Sequence, residues 1–427
     1  MTAYEKTVEY ILNIPMFAKK MGHENLSALL DRLGHPEEMP HIIHVAGTNG
    51  KGSTCKALSS ILQRAGYRVG LFTSPHLVSI NERIQINGVQ ISNEDFVDCF
   101  EKVKKAFELH PSFFEVLFAM AAVYFNEKQV DYVIYETGMG GRLDATNVVK
   151  PELTIITSVS YDHMEYLGNT IEEIAAEKAG IIKKGVPVLY FKRDEVSAGI
   201  IEDAAKSLAS KVVSVEKSEY IINLLEDKSI DFSLHNRYYS YDHLKIRRTS
   251  LYQVENACLA AVAYGMLLGD KACEAALRYG LQDFYWEGRM DEVLPGVYVD
   301  GAHNEEAICS YVLTLKKLHG NAGKILVFAA VKDKDYKTMI KRLTSEIVFD
   351  KIIVTNVSGS RKASLDRIAG LFEKMTGVAV ERYERIPEAM NRAMLLKSES
   401  ENRNIYCVGS LYLVGEIKKW IEHGRPL

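Results

Sequence analysis

The chain has little with which to build a covalent framework, cross a membrane or bind a nucleic acid. Its six cysteines, Cys55, Cys99, Cys258, Cys273, Cys309 and Cys407, never fall into a C-x-x-C spacing. That argues against a zinc knuckle and suits reduced thiols better than disulfides, so a reducing, cytoplasmic compartment is expected. The longest apolar run, Phe113 to Phe125, is too short to span a bilayer and carries Glu115. The opening Met-Thr-Ala-Tyr-Glu-Lys lacks the charged-then-apolar pattern of a secretory signal, so neither export nor membrane insertion is expected. A net charge of -4, with no basic stripe, leaves nothing to neutralise a phosphate backbone, and no nucleic-acid partner is expected. Internal repeats and low-complexity tracts are also missing. With 47% hydrophobic residues in 427, the chain can build two or three packed domains.

What is present alternates. Apolar bursts rich in Val, Ile and Tyr recur between amphipathic helical stretches at His41–Val45, Val69–Phe72, Tyr132–Tyr135, Leu153–Val159 and Val186–Phe191. The alternation predicts an α/β fold with a mostly parallel sheet. Ser218–Tyr252, with Tyr238, Tyr239 and Tyr241, reads as a side β insertion, and Val254–Leu268 as an Ala-rich helix. A second series of bursts at Val297–Asp300, Ile325–Ala330, Ile352–Val357 and Ile405–Val408 predicts a smaller, doubly wound, Rossmann-like C-terminal domain. The turn Leu294-Pro295-Gly296 precedes it, which places the boundary near residue 293: an N-terminal domain over 1–293 and a C-terminal one over 294–427.

After the first burst comes Gly47-Thr48-Asn49-Gly50-Lys51-Gly52-Ser53, and Thr54–Ala65 has helical periodicity. Strand, glycine-rich turn and helix make a phosphate cradle: backbone N–H groups converge on phosphate oxygens, Lys51 adds a point charge, and the helix N-terminus adds its partial positive charge. The loop departs from G-x-x-x-x-G-K-[ST], because Val45 and Gly52 stand at two of its fixed positions. Ser74, Glu136, His163 and Asp300 lie at or just beyond the carboxyl ends of expected strands, the edge where open α/β sheets gather ligands. Hydroxyl, carboxylate and imidazole there suit Mg2+ bridging nucleotide phosphates.

The loop Gly47–Ser53 resembles that of the Mur-ligase superfamily, and specifically its folylpolyglutamate and dihydrofolate synthase branch. Further matching motifs follow in order: Ser74-Pro75-His76-Leu77, Glu82-Arg83-Ile84 with Ile86-Asn87-Gly88, Phe113-Phe114-Glu115, Gly140-Gly141-Arg142-Leu143-Asp144-Ala145-Thr146-Asn147, Asp162-His163, Ala176-Glu177-Lys178-Ala179-Gly180, Asp300-Gly301-Ala302-His303-Asn304 and Gly409-Ser410-Leu411-Tyr412. They span nearly the whole chain. The resemblance implies an ATP-dependent carboxylate–amine ligase that adds L-glutamate to a reduced folate, to dihydropteroate or to both, through an acyl phosphate. It implies ATP bound by Gly47, Thr48, Asn49, Gly50, Lys51, Gly52, Ser53, Asn256, Arg289 and Asp300, and Mg2+ held by Ser74, Glu136 and His163. Phe113, Phe114, Glu115, Leu143, Asp144 and Ala145 would form the folate pocket. Lys51 and His303 would act in catalysis, and so would Lys178, carried as a carbamate. A monomer is expected.

Lys178 also has a reading of its own. Thr170-Ile171-Glu172-Glu173 has the spacing of a capping box, predicting a helix from there to about Ile182 with Ile171, Ile174, Lys178 and Ile181 on one face. A lysine in an apolar stripe loses its charge more readily, and a neutral amine reacts with carbon dioxide. Lys332–Asp335 resembles the family's loop in the second domain and reads equally as a solvated charge run, while against the family pattern stand Phe118, Tyr252 in place of a usual His, Glu287 before Gly288-Arg289 and Glu305 after Asn304. The competing class is a P-loop NTPase switch or motor, which needs no carboxylate pocket. A cell-wall ligase would carry a nucleotide-sugar domain ahead of the loop, and 46 residues before Gly47 are too few for it.

Overall fold

Strands covered on both faces need continuous apolar runs, and the chain supplies them. The computed structural model describes residues 1–15, 23–108, 110–226, 229–247, 250–319, 322–359, 361–400 and 402–424. Two compact units emerge: Met1–Arg248 with Gln253–Tyr285, and Thr249–Tyr252 with Trp286–Leu427.

In the first unit, β1 (Ile42–Ala46), β2 (Val69–Phe72), β5 (Tyr132–Glu136), β6 (Leu153–Ile156), β7 (Val188–Lys192) and β8 (Val212–Glu216) are parallel, while β3 (Ile84–Ile86) and β4 (Val89–Gln90) form an antiparallel edge. The order is β4-β3-β2-β5-β1-β6-β7-β8, so β1 lies centrally between β5 and β6. The expected side insertion is a three-stranded antiparallel sheet of β9 (Tyr220–Leu225), β10 (Ser229–His235) and β11 (Ser240–Arg247). The helix Phe113–Glu127 is buried nearly all round. It joins Phe72, Tyr135 and Val149 in one apolar core, against which Phe114 and Ala145 also pack.

The second unit holds a six-stranded sheet, β12-β13-β17-β14-β15-β16, with β12 (Asp291–Leu294) antiparallel to β13 (Val297–Asp300). The rest, β14 (Gly323–Phe328), β15 (Lys351–Thr355), β16 (Val380–Tyr383) and β17 (Arg403–Val408), run parallel with helices between them, as expected for double winding. Strand ends differ from the sequence reading for local reasons. The strand expected to reach Val159 stops at Ile156, because the hydroxyls of Thr157 and Ser158 turn to the carbonyl of Asn49 at 2.6 and 3.3 Å. Among the described residues no helix is long and apolar enough to cross a membrane.

Candidate active site

The glycine-rich loop leaves β1 and enters the helix Lys51–Arg64 through Gly50, whose φ of 84° lies in the left-handed region and which makes no side-chain cap. The first-turn amides are thereby left for a ligand. The loop is held from the segment after β6. The Thr48 amide donates to the Ser158 carbonyl at 2.8 Å, the Asn49 amide to the Ser158 hydroxyl at 3.0 Å, and the Thr48 hydroxyl to the Ser160 carbonyl at 3.1 Å. Lys51 folds its ammonium over the loop, donating to the carbonyls of Gly47 (3.0 Å) and Thr48 (3.3 Å). On the helix side, Asn256 accepts from Thr54 at 3.4 Å and donates to Gln253 at 2.8 Å. Gly52 is half-buried and Ser53 buried in the first turn.

Because β2, β5, β1 and β6 are neighbours, their carboxyl ends line up Ser74, Glu136, the loop and the segment leading to His163. Ser74 and Glu136 meet directly: the Ser74 amide donates to Glu136 at 2.9 Å. Burial pushes the Cys55 thiol up, with Glu136 adding to the shift and Lys51 opposing it, so carboxylate and ammonium both lie within electrostatic reach of one buried sulfur. A nearly buried carboxylate beside a hydroxyl residue, next to a phosphate-type loop, is a hard oxygen donor set that suits Mg2+. His163 lies two elements away in the sheet order, in left-handed conformation at the start of the short helix Met164–Leu167, with Asp162 as neighbour at 3.9 Å. Among the described residues no three His, Cys, Asp or Glu side chains gather as a metal cluster.

The helix Ile171–Ala179 begins at the expected capping box of Thr170 and Glu173, and ends before Gly180, short of the Ile182 anticipated. Lys178 is only 2% exposed and shares the buried face with Ile174 and Ala175.

The candidate folate residues divide by role. Glu115 closes a capping box, accepting from the Ser112 amide and hydroxyl at 2.7 Å each. Phe113 lies 5.3 Å beneath the Arg83 guanidinium, which also donates to His76 at 2.8 Å. Phe114 packs so closely on Gly138 that a Cβ there would sit 2.8 Å from the ring. Asp144 is buried and caps the turn Ala145–Val148, accepting from the Thr146 amide (3.0 Å) and hydroxyl (2.6 Å) and the Met139 amide (2.9 Å). Burial pushes its carboxyl above the usual range, and these hydrogen bonds oppose the rise. Leu143 is exposed and Ala145 half-buried.

In the second unit Asp300 ends β13 fully enclosed, accepting from the Tyr252 hydroxyl (2.7 Å) and the amides of Met290 (2.9 Å) and Ala302 (2.8 Å). Burial raises its carboxyl, while Arg289 and the Tyr252 hydroxyl pull it back. Tyr252, the departure from the family's histidine, therefore has a defined job: its phenol donates to Asp300 and is itself pushed up by burial and by that carboxylate. His303 is held by its Nδ1 against the Gly301 carbonyl at 2.7 Å. In Lys332–Asp335, Asp333 pairs with Arg361, and Asp335 caps the helix Tyr336–Glu346.

The Mur ligase middle domain model matches residues 45–264, and the Mur ligase glutamate ligase domain model matches 288–411. The dihydrofolate synthase/folylpolyglutamate synthase of Bacillus subtilis (strain 168) is 38% identical over 434 residues, covering 98% of this chain and 99% of that protein. The chain belongs to the folylpolyglutamate and dihydrofolate synthase family of Mur ligases. Two solved structures share the fold. Thermotoga maritima folylpolyglutamate synthase has a TM-score of 0.84 at 33% identity, covering 99% of this chain and 97% of its own. Mycobacterium tuberculosis folylpolyglutamate synthase complexed with ADP has a TM-score of 0.92 at 27% identity, covering 99% of each chain.

This Mur ligase is thus an ATP-dependent ligase, and the switch or motor reading falls because such a protein has no use for a glutamate ligase domain. Within the first unit, the ligase brings together Gly47–Ser53 with Asn256, Ser74 with Glu136, and Phe113 and Phe114 with Ala145 on one core. Sequence reasoning missed the Thr157-Ser158 support of the loop and the Ser112 and Arg83 contacts of the candidate folate residues. A hydroxyl pair following an apolar burst was the only signal available for the first.

Proposed function

We propose that this ligase joins L-glutamate to a reduced folate, and to dihydropteroate, through an acyl phosphate, acting as a cytoplasmic monomer. The observation that carries the reading is the Gly47–Ser53 loop at the central strand, with Lys51 folded onto its carbonyls, and beside it a carboxylate and a hydroxyl residue, Glu136 and Ser74, at the ends of the two neighbouring strands. Loop amides and the helix N-terminus bind the phosphates of ATP, and Lys51 leaves its loop carbonyls for the terminal phosphate. Ser74, Glu136 and His163 would hold Mg2+, which supplies neutralisation of phosphate charge. Phe113, Phe114 and the Leu143–Ala145 segment hold the pterin-bearing substrate so that its carboxylate oxygen meets the terminal phosphorus. Attack there releases ADP and leaves the acyl phosphate. The glutamate amine then attacks the acyl carbon, losing a proton as the amide forms and inorganic phosphate leaves. Within the first unit Asn256 adds to the nucleotide contacts; in the second unit the family resemblance assigns Asp300 and Arg289 to the nucleotide and His303 to the transferring group.

Lys178 completes the reading as a carbamate. Its near-total burial favours the neutral amine, which adds to carbon dioxide with loss of a proton. The resulting anion would help to orient His163, one of the residues that would hold Mg2+. The decisive experiment measures ADP release with dihydropteroate and with a reduced folate in parallel, each with and without L-glutamate. ADP release that ignores all three compounds rejects the proposal, and the ratio of the two rates separates the two activities.

A further inference from the structure

One buried histidine has no place in the chemistry above, yet it touches the folate segment. His44 sits in the middle of β1, fully enclosed, three residues before the phosphate loop. Its Nε2 lies 2.8 Å from the Thr146 hydroxyl. That hydroxyl has a single proton and spends it on Asp144 Oδ1 at 2.6 Å. The imidazole must therefore be the donor, which makes His44 the Nε2–H tautomer. Its Nδ1 is buried with no hydrogen-bond partner among the described residues, a position that tolerates a bare lone pair better than an orphaned N–H. Asp144 passes the constraint on, accepting the Met139 amide with its other oxygen. Three hydrogen bonds thus run from the central strand through Thr146 and Asp144 to the turn against which Phe114 packs.

We infer that His44 is a positioning residue for the pterin-bearing substrate: its Nε2–H holds Thr146, and through it Asp144-Ala145, in the conformation that receives the ring. The inference rests on the folate reading given above and deepens it, by naming a residue outside the pocket that sets the pocket's shape.

The test uses the full chain. Histidine-selective 15N NMR, with His44 identified by the signal lost in His44→Gln, should show a neutral ring protonated at Nε2. A ring protonated at Nδ1, or a cationic ring at neutral pH, overturns the inference whatever the enzyme's substrate. Steady-state kinetics supply the second arm. His44→Leu removes the donor, and Thr146→Val removes the relay while keeping its shape; each should raise KM for dihydropteroate or folate about tenfold, with KM for ATP and kcat within about twofold. His44→Gln returns an amide donor and should restore most of the loss. The double variant should lose no more than the worse single, since both break one chain. Equal losses in His44→Gln and His44→Leu, additive losses, or a matching rise in KM for ATP defeat the proposal. If His44→Leu does not fold, Thr146→Val decides alone. A wild-type enzyme without any folate- or dihydropteroate-dependent turnover removes the folate reading and this role with it, while a correct tautomer would still stand as a structural fact.

Discussion

Replacing Gly50 with alanine separates two costs that usually travel together. At φ 84° an L-residue is strained, by about 1–2 kcal/mol. A Cβ at Gly50 would also sit 2.3 Å from Asn256 Oδ1, so the buried amide must move and give up its bonds to Thr54 and Gln253. At ~1 kcal/mol for each bond, Gly50→Ala should destabilise the first unit by roughly 3–4 kcal/mol. Gly66 is the internal control. Its φ is 94°, and among the described residues nothing lies within 4 Å of a Cβ placed there, so Gly66→Ala carries the backbone strain without the clash. Both changes stiffen the unfolded chain equally, and that contribution cancels in the comparison. The difference of ~2 kcal/mol should appear in calorimetry as a melting midpoint lower by roughly 4–8 °C for Gly50→Ala than for Gly66→Ala. Adding Asn256→Ala to Gly50→Ala should cost less than the sum of the two, because the clash is gone. Equal midpoints for the two alanine variants, or strict additivity with Asn256→Ala, would refute the reasoning.

Lys51→Ala should abolish turnover while circular dichroism and melting stay near wild type, since a half-buried loop lysine bonded to two carbonyls adds little to stability; retained ligase activity rejects the phosphate-loop role. Glu136→Gln should shift the magnesium dependence of ADP release to higher concentration and lower the maximal rate at least tenfold, and an unchanged titration removes Glu136 from the metal site. Lys178→Ala should lose most activity, with part restored by added acetate; full activity without acetate speaks against the carbamate. Burial, with a smaller contribution from Lys183, pushes His44 from 6.5 down to about 3. The unfolded chain thus binds this proton and the folded one resists it. Stability that is complete above pH 6.5 should therefore fall as pH drops toward 3, by up to ~1.4 kcal/mol per pH unit from this site. Denaturation midpoints across that window should decline less steeply for His44→Gln, and identical slopes would remove His44 as the cause.

Much of this protein could be read along the chain, because the deciding signals are local. Apolar bursts, the glycine-rich turn between strand and helix, and the Thr170–Glu173 capping box each depend on residues a few positions apart. Backbone hydrogen bonding and helix-end chemistry act over that same range. Strand–loop–helix order therefore pointed to a phosphate loop, and the motif series identified the family. Tertiary structure decided everything that depends on which strands become neighbours. Placing β5 between β1 and β2 brings Glu136 to the loop on one side and lets the Ser74 amide bond it on the other. The segment after β6 ends its strand early to hold Asn49. Phe113, an apolar helix residue to a reader of sequence, is placed beneath the Arg83 guanidinium by a contact made only after folding. The same holds for Tyr252, whose phenol meets Asp300 across 48 residues of chain, and for His44, an unremarked strand residue until Thr146 closes on it from 102 positions away. Those pairings are set by packing of the whole sheet against its helices, and no periodicity in the sequence reports them.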